Sequence, residues 1–200
     1  LAELNRDRFY GWHRPFTINN ARQAVLVYNG EVFRGLNAAS MSENELMYLQ
    51  EHLRILSGLY GVLRPLDFIQ PYRLEISSKL ITPAGNDLYD FWNKKITDSV
   101  SRTFQSSGEP QIVLNLSSSE YFKAIDANLF NGKIVDVEFL ENDNGNFRPI
   151  VVYLKKARGM MVRFVTRYQI ENVDDLKGFD MEGYWYHPEL STDNKMVFVR

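Results

Sequence analysis

A single-domain mixed α/β (α+β) fold, with a central mixed β-sheet covered by helices, is what this 200-residue sequence predicts. Three observations carry the prediction. Short apolar runs of strand type alternate with longer stretches of helical periodicity, the pattern of a sheet packed against helices. Asp143-Asn144-Gly145-Asn146 is a strong hairpin signal between two apolar runs, so at least one strand pair is antiparallel. With 44% hydrophobic residues and no cysteine, the chain can bury a core without disulfides or a structural metal. Residues 1–200 are read as that one domain.

The elements follow in order. Leu1-Ala2-Glu3-Leu4-Asn5 reads as the end of a helix already under way, with no initiator Met and no signal-peptide pattern, so a missing N-terminal segment is expected. Residues 24–28 are a short apolar strand candidate, closed by Asn29-Gly30. Ser42-Glu43-Asn44-Glu45 is a capping box opening a helix to about Ser57, with Leu46, Leu49, Leu53 and Leu56 on one stripe and Gly58 as its stop. Pro65 and Pro71 then impose extended or turning chain, and residues 73–76 suggest a short strand. Asn86 or Asp87 caps a long helix through Leu88, Phe91, Trp92 and Ile96 to Phe104, ended by Gly108 and Pro110. Residues 112–116 form a buried-type strand. Ser117-Ser118-Ser119-Glu120 is a second capping box, opening a helix through Tyr121, Phe122 and Ile125. Strands at 134–140 and 149–154 flank the hairpin turn, a helix runs over 155–168, a short helix over 173–179, and 196–199 is a closing strand.

Charge narrows the function. A net charge of −2 excludes a protein that holds nucleic acid by bulk charge, so an anion site must be a local concentration. Lys155, Lys156, Arg158, Arg163 and Arg167 carry five positive charges with no acid among them, whereas residues 171–189 hold six acids against Lys177, predicting one basic and one acidic face. On the basic helix, Ala157, Met160, Met161, Phe164 and Tyr168 form the core-facing stripe. Lys156, Arg163 and Arg167 line one flank, Arg158 the other, and Lys155 points away. Five cations without local i,i+4 partners weigh an anion-binding role equally against a solvated face. His13, His52 and His187 lack metal-binding spacing, so no metal site and no cofactor is expected. No apolar run reaches the ~18 residues of a membrane span.

Two segments are candidates for binding or chemistry. In Leu56 to Glu75, Gly58 and Gly61 permit a tight turn with outward N–H groups, and Arg64, Tyr72 and Arg73 follow where an anion would be held. Leu56-Ser57-Gly58-Leu59 fits the hairpin of a helix-hairpin-helix element, which offers backbone amides to DNA phosphates, although a plain helix cap explains both glycines too and Pro65 shortens the second helix. From Asn115 to Lys123, a strand-to-helix junction presents Ser119, Glu120, Tyr121 and Lys123, with Ser119 and Lys123 spaced as a nucleophile pair.

LSGLYGVLRPLDFIQPYRLE from Leu56, LYDFW from Leu88, NLSSSEYFKAI from Asn115, KKARGMMVRF from Lys155 and the ending VFVR together resemble the YaaA family of bacterial peroxide stress proteins, over nearly the whole chain. The resemblance implies a cytoplasmic protein of the oxidative stress response that keeps free iron low, limits DNA damage and binds double-stranded DNA. It also implies a positively charged cleft and a helix-hairpin-helix-like element. By motif, the cleft would hold Arg64, Tyr72, Arg73, Glu75, Lys79, Asn115, Ser119, Glu120, Tyr121, Lys123, Lys155, Lys156, Arg158 and Arg163. Two departures stand: the family's opening strand and its Ser-Pro-Ala-Lys segment are absent, and Ser118-Ser119 stands where Ser-Asn is common. The alternative is an enzyme acting on a nucleotide or a DNA base, with Glu75 or Glu120 as acid/base. Direct iron sequestration finds no His or Cys cluster to support it.

Overall fold

A computed structural model describes residues 2–104 and 111–200; the expected stop at Gly108 and Pro110 lies outside them. In chain order the elements are α1 (Ala2–Gly11), β1 (Arg22–Gln23), α2 (Ala24–Val27), α3 (Glu31–Leu36), α4 (Glu43–His52), β2 (Ile55–Ser57), β3 (Gly61–Leu63), β4 (Phe68–Ile69), α5 (Leu88–Trp92), α6 (Lys94–Arg102), β5 (Ile112–Asn115), α7 (Ser119–Phe122), β6 (Lys133–Asp143), β7 (Asn146–Arg148), α8 (Val151–Tyr168), β8 (Trp185–Tyr186) and β9 (Lys195–Val199). The fold is mixed α/β, as expected. Its contacts group the described residues into two compact units, one of residues 2–27, 50–104 and 117–131, the other of residues 28–49, 111–116 and 132–200.

The second unit holds the mixed sheet, in the order β5-β6-β9-β8 with β7 paired to β6. β5 and β9 run parallel to β6, while β7 and β8 are antiparallel to their neighbours. The hairpin forms where the sequence placed it: Asp143 pairs with Asn146, and Asn144 (φ 54°) and Gly145 (φ 90°) supply the two left-handed residues of the turn. Ala157, Met160, Met161 and Phe164 of α8 bury against Val135, Val137, Phe139, Met196 and Phe198 of the sheet. Tyr168, the last residue of the expected stripe, is 62% exposed instead, because it lies past the last turn that the sheet covers and rests on the Phe164 ring. Residues 151–154 are helical, not a strand: Pro149 ends the β7 ladder, and the Leu154 N–H already closes a helical bond on Ile150 (2.9 Å).

α3 crosses α8 at backbone contact. A Cβ on Gly159 would stand 1.8 Å from the Val32 carbonyl oxygen, and one on Gly35 would stand 2.1 Å from that of Lys156. Glycine is unfavourable inside a helix by about 1 kcal/mol, so its place in α8 reflects this approach. Arg163 then reaches the C-terminal end of α3, donating to the carbonyls of Leu36 (3.0 Å) and Asn37 (3.1 Å).

The first unit is built from smaller pieces around Ile76, Leu88, Ile96 and Ala124, with Leu56, Val62, Leu74, Phe91 and Trp92 packed on them. Several expectations are corrected here. The apolar run at 24–28 is not a strand: residues 24–27 make one helical turn, α2, whose Ala24 and Val25 N–H groups bond to the Asp67 and Pro65 carbonyls (2.9 Å each). A short apolar run does not specify its period. The Ser42–Glu45 capping box, which belongs to the second unit, is made, with Ser42 N–H to Glu45 Oε2 at 2.8 Å and Glu45 N–H to Ser42 Oγ at 3.3 Å. Yet α4 ends at His52, five residues early, because residues 55–57 pair with 61–63 as an antiparallel hairpin. Residues 73–76 have no ladder partner and run as irregular chain, passing so close to Gly58 that a Cβ there would meet the Leu74 carbonyl at 2.4 Å. The long helix after Asp87 is broken in two at Asn93 (φ 42°, ψ −127°); Asp87 caps α5 through the Asp90 N–H (2.9 Å), and Trp92 is drawn away to donate to the Gly58 carbonyl (2.9 Å). α7 has four residues, ends at Phe122 rather than running through Ile125, and takes Ser118 as its N-cap, with no side-chain cap bond from that residue.

Candidate functional site

The candidate residues divide between the units. Arg64, Tyr72, Arg73, Glu75, Lys79, Ser119, Glu120, Tyr121 and Lys123 lie in the first, and Asn115, Lys155, Lys156, Arg158 and Arg163 in the second.

In the first unit, three separate segments converge on a polar group. β2 contributes Ser57, which is buried, and its hydroxyl lies 2.7 Å from the Tyr72 hydroxyl while accepting from the Tyr60 N–H (3.0 Å). The irregular chain after Pro71 brings Tyr72 and Glu75, and α7 brings Tyr121, whose hydroxyl donates to Glu75 Oε2 at 3.2 Å. Burial first, then the Glu75 charge and this hydrogen bond, push the Tyr121 hydroxyl well above the ordinary tyrosine range, with Tyr72 adding to the shift. Tyr121 is therefore a neutral donor that fixes one oxygen of an exposed carboxylate. Beside it, Tyr89 donates to the Glu120 carbonyl (3.0 Å), and the Lys123 ammonium lies 4.5 Å from the centre of the Tyr89 ring. The expected Ser119–Lys123 pair is not made: among the described residues no hydrogen bond joins the two side chains, and Lys123 turns to the ring.

The glycines of the opening motif serve packing. Gly61 (φ 74°) turns the β2–β3 hairpin with its Cα against the Trp92 ring, where a Cβ would stand 2.7 Å from the ring carbons. Both Gly58 and Gly61 are buried, and strands rather than helices lie immediately on either side of the turn. Arg64 is engaged too. Its Nε donates to the Gln50 carbonyl (3.2 Å) at the end of α4, where Arg54 also donates to Glu51 (2.9 Å) and Leu53 (2.8 Å), so the pair satisfies carbonyls that the helix end leaves open. Burial, and next the Arg64 charge, lower the Arg54 pKa. Arg73 and Lys79 are exposed, with no ion-pair partner among the described residues.

In the second unit the basic helix is less uniform than its sequence. Lys156 pairs with Glu182, which comes from the acidic segment and also meets Arg200 (3.3 Å). Arg200 in turn holds Glu141 (2.8 Å) and lies 4.8 Å from the centres of both the Tyr153 and Tyr184 rings. Arg163 is committed to the α3 carbonyls, and Asn115 donates to Asp136 (2.7 Å) across the β5–β6 pair. Lys155 is exposed. Arg158 is half-buried, burial lowers its pKa, its Nε has no hydrogen-bond partner and no acid faces it among the described residues. An open depression of about 510 Å³ at the end of α8 is lined by Glu171 and Asp175 without a cation, which does not suit an anion.

Sequence reasoning identified Tyr72, Glu75 and Tyr121 but missed Ser57 and Tyr89. Ser57 reads as a filler between Leu56 and Gly58, and only a β2 strand direction turns it toward Tyr72. Among the described residues no three His, Cys, Asp or Glu side chains come together as a metal-holding group, and no helix is long and apolar enough to cross a membrane.

A family model described as peroxide stress protein YaaA matches residues 1–190. That span includes the hairpin, the Ser57–Tyr72–Glu75–Tyr121 group and the whole of α8, and so the chain belongs to the YaaA family of peroxide stress proteins.

Proposed function

We propose that the chain serves the peroxide response by binding double-stranded DNA in the cytoplasm without reading its sequence, and so helps limit DNA damage and free iron. The observation that supports this most directly is that five of the expected phosphate ligands have no acidic partner among the described residues: Lys155 and Arg158 in one unit, Arg73, Lys79 and Lys123 in the other. A half-buried guanidinium with an unsatisfied N–H favours an anion that restores both charge balance and hydrogen bonding. Phosphates do so without conveying sequence.

Fluorescence anisotropy on a labelled duplex, across a salt series, tests the reading. Affinity is expected to fall steeply with salt, and Lys155→Ala with Arg158→Ala to flatten the slope by about 0.9 per lost phosphate contact, alike for all sequences. Unchanged binding and slope in the double variant would sink it.

A second reading, an enzyme acting on a nucleotide or a DNA base, draws on the Tyr121–Glu75 contact (3.2 Å), which holds a carboxylate where it could move a proton. Glu75→Gln separates the two. It should leave duplex binding intact under the first reading and abolish nucleotide turnover under the second.

A further inference from the structure

The first unit carries an aromatic cleft that none of the residues above accounts for. Trp12, Arg14, Pro15, Phe16, Leu59 and Tyr60 line an open space of about 520 Å³, within the range of small-molecule sites. Its walls are fixed. Trp12 Nε1 donates to the Tyr60 hydroxyl (3.2 Å), which also accepts from the Gln70 N–H (3.2 Å). The buried Gln70 side chain grips the His13 backbone from both sides, accepting from its N–H (3.0 Å) and donating to its carbonyl (2.6 Å). Phe16 stands edge-on to Trp12 (5.3 Å, 85°) and to Tyr60 (6.4 Å, 83°), so the rings form walls rather than a closed stack. Arg14 is exposed at the rim, 5.8 Å from the centre of the Trp12 ring, with no acidic partner among the described residues.

Pre-set aromatic faces beside an unpaired guanidinium match a ligand that is itself a flat ring bearing a negative charge. A nucleotide has both parts: its base stacks, and its phosphate meets the arginine. A base inside a duplex is already stacked on its neighbours, so the ligand must present it unpaired. Its Tyr60 wall is braced by the polar group described above, since the Tyr60 ring meets Tyr72 edge-on at 5.1 Å and the Tyr60 N–H bonds Ser57.

We propose that this cleft holds one unpaired nucleobase of a single-stranded or locally opened nucleic acid, stacked against Trp12, with an adjacent phosphate on Arg14. The choice of nucleic acid as ligand class rests on the DNA-binding reading; the placement of the base does not. The test uses the full chain and two probes, an oligothymidylate of about ten nucleotides and a fully paired duplex. Trp12→Ala is expected to weaken oligothymidylate binding roughly 5- to 150-fold, the range for loss of one stacked base. Arg14→Ala should weaken it less and lower its salt dependence, and duplex affinity should stay within about twofold. Because Trp12→Ala also removes a hydrogen bond, Trp12→Phe serves as the folded control and should restore most of the affinity. Photo-cross-linking of oligothymidylate carrying 5-iododeoxyuridine should label the peptides holding Trp12, Phe16 or Tyr60. Equal oligothymidylate binding by Trp12→Ala and the parent, absence of binding by the parent, or cross-links only at other peptides would overturn the proposal. Loss of duplex binding with Trp12-dependent oligothymidylate binding retained would defeat the duplex reading alone.

Discussion

Gly159→Ala is expected to destabilise the second unit far more than a buried methyl group normally does. The new Cβ would stand 1.8 Å from the Val32 carbonyl oxygen, 2.7 Å from the Leu36 nitrogen and 2.8 Å from the Val32 carbonyl carbon, all of them backbone atoms that no rotamer change can move. Restoring ordinary contact requires α3 and α8 to separate by about 1.5 Å, in an interior as densely packed as a crystal. Overpacking of this kind costs about 1–3 kcal/mol. Separation also stretches the two bonds from Arg163 to the Leu36 and Asn37 carbonyls, whose charged donor makes each worth about 1.5 kcal/mol or more. Against this, alanine gains about 1 kcal/mol of helix propensity over glycine. The balance is a loss of about 2–4 kcal/mol, or a fall in Tm of about 5–15 °C for a chain of this size. Urea and thermal unfolding followed by circular dichroism measure it. Gly178→Ala is the control, because its nearest neighbour would be a Phe164 ring carbon at 3.9 Å, and it should change stability by no more than about 0.5 kcal/mol. A Gly159→Ala protein as stable as the parent would refute the close crossing.

Arg163→Ala should cost about 1–3 kcal/mol in urea unfolding through the exposed end of α3, while leaving the salt slope of duplex binding unchanged, since its Nη1 is held by two carbonyls of that end. Tyr121 and Tyr184 keep their protons in the folded state above the ordinary value near 10, so the folded chain binds more protons than the unfolded one at high pH. Stability is then full below pH 10 and declines as pH rises beyond it, and Tyr121→Phe should flatten that decline in unfolding curves taken from pH 8 to 11. Asn93→Gly should raise stability by up to about 1 kcal/mol in the same unfolding assay, because the break between α5 and α6 places a side chain at φ 42° and ψ −127°.

What the sequence made legible depended on how local the cause was. The Asn144-Gly145 turn and the Ser42–Glu45 box are decided within four residues, and both form as read. Helix ends were misjudged where a distant partner competes: Leu53 and Leu56 keep helical spacing with α4, but Leu56 pairs with Val62. The α8 stripe was right over its buried turns and wrong at Tyr168. Its Lys156–Arg163 flank reads as open to an anion or to solvent alike, because nothing in the local pattern announces α3. The one available sign was Gly159, an unfavourable residue inside a helix that otherwise propagates well. The convergence of Tyr72, Glu75 and Tyr121 could not come from periodicity at all; it was reached only through family motifs, and the structure supplies its reason in the Tyr121–Glu75 bond.

The fate of the cations bears on how DNA would be held. Arg64, Lys156 and Arg163, three of the expected phosphate ligands, are engaged by carbonyls or by Glu182, and the charge that looked unpaired along α8 is partly balanced by a residue 26 positions later. Of the expected phosphate ligands, the charged Lys155, Arg158, Arg73, Lys79 and Lys123 remain, and contacts from all five would contribute about −4 to −5 to the electrostatic slope, less than in proteins that bind by phosphate contacts throughout. A chain of net charge −2 also gains little from long-range attraction. Affinity beyond that must come from interactions that salt does not screen, and base stacking is one of them. Within the first unit, the Trp12–Tyr60 cleft would complement Arg73, Lys79 and Lys123: a locally opened duplex offers phosphates to these cations and a base to the rings, whereas an intact one offers phosphates only.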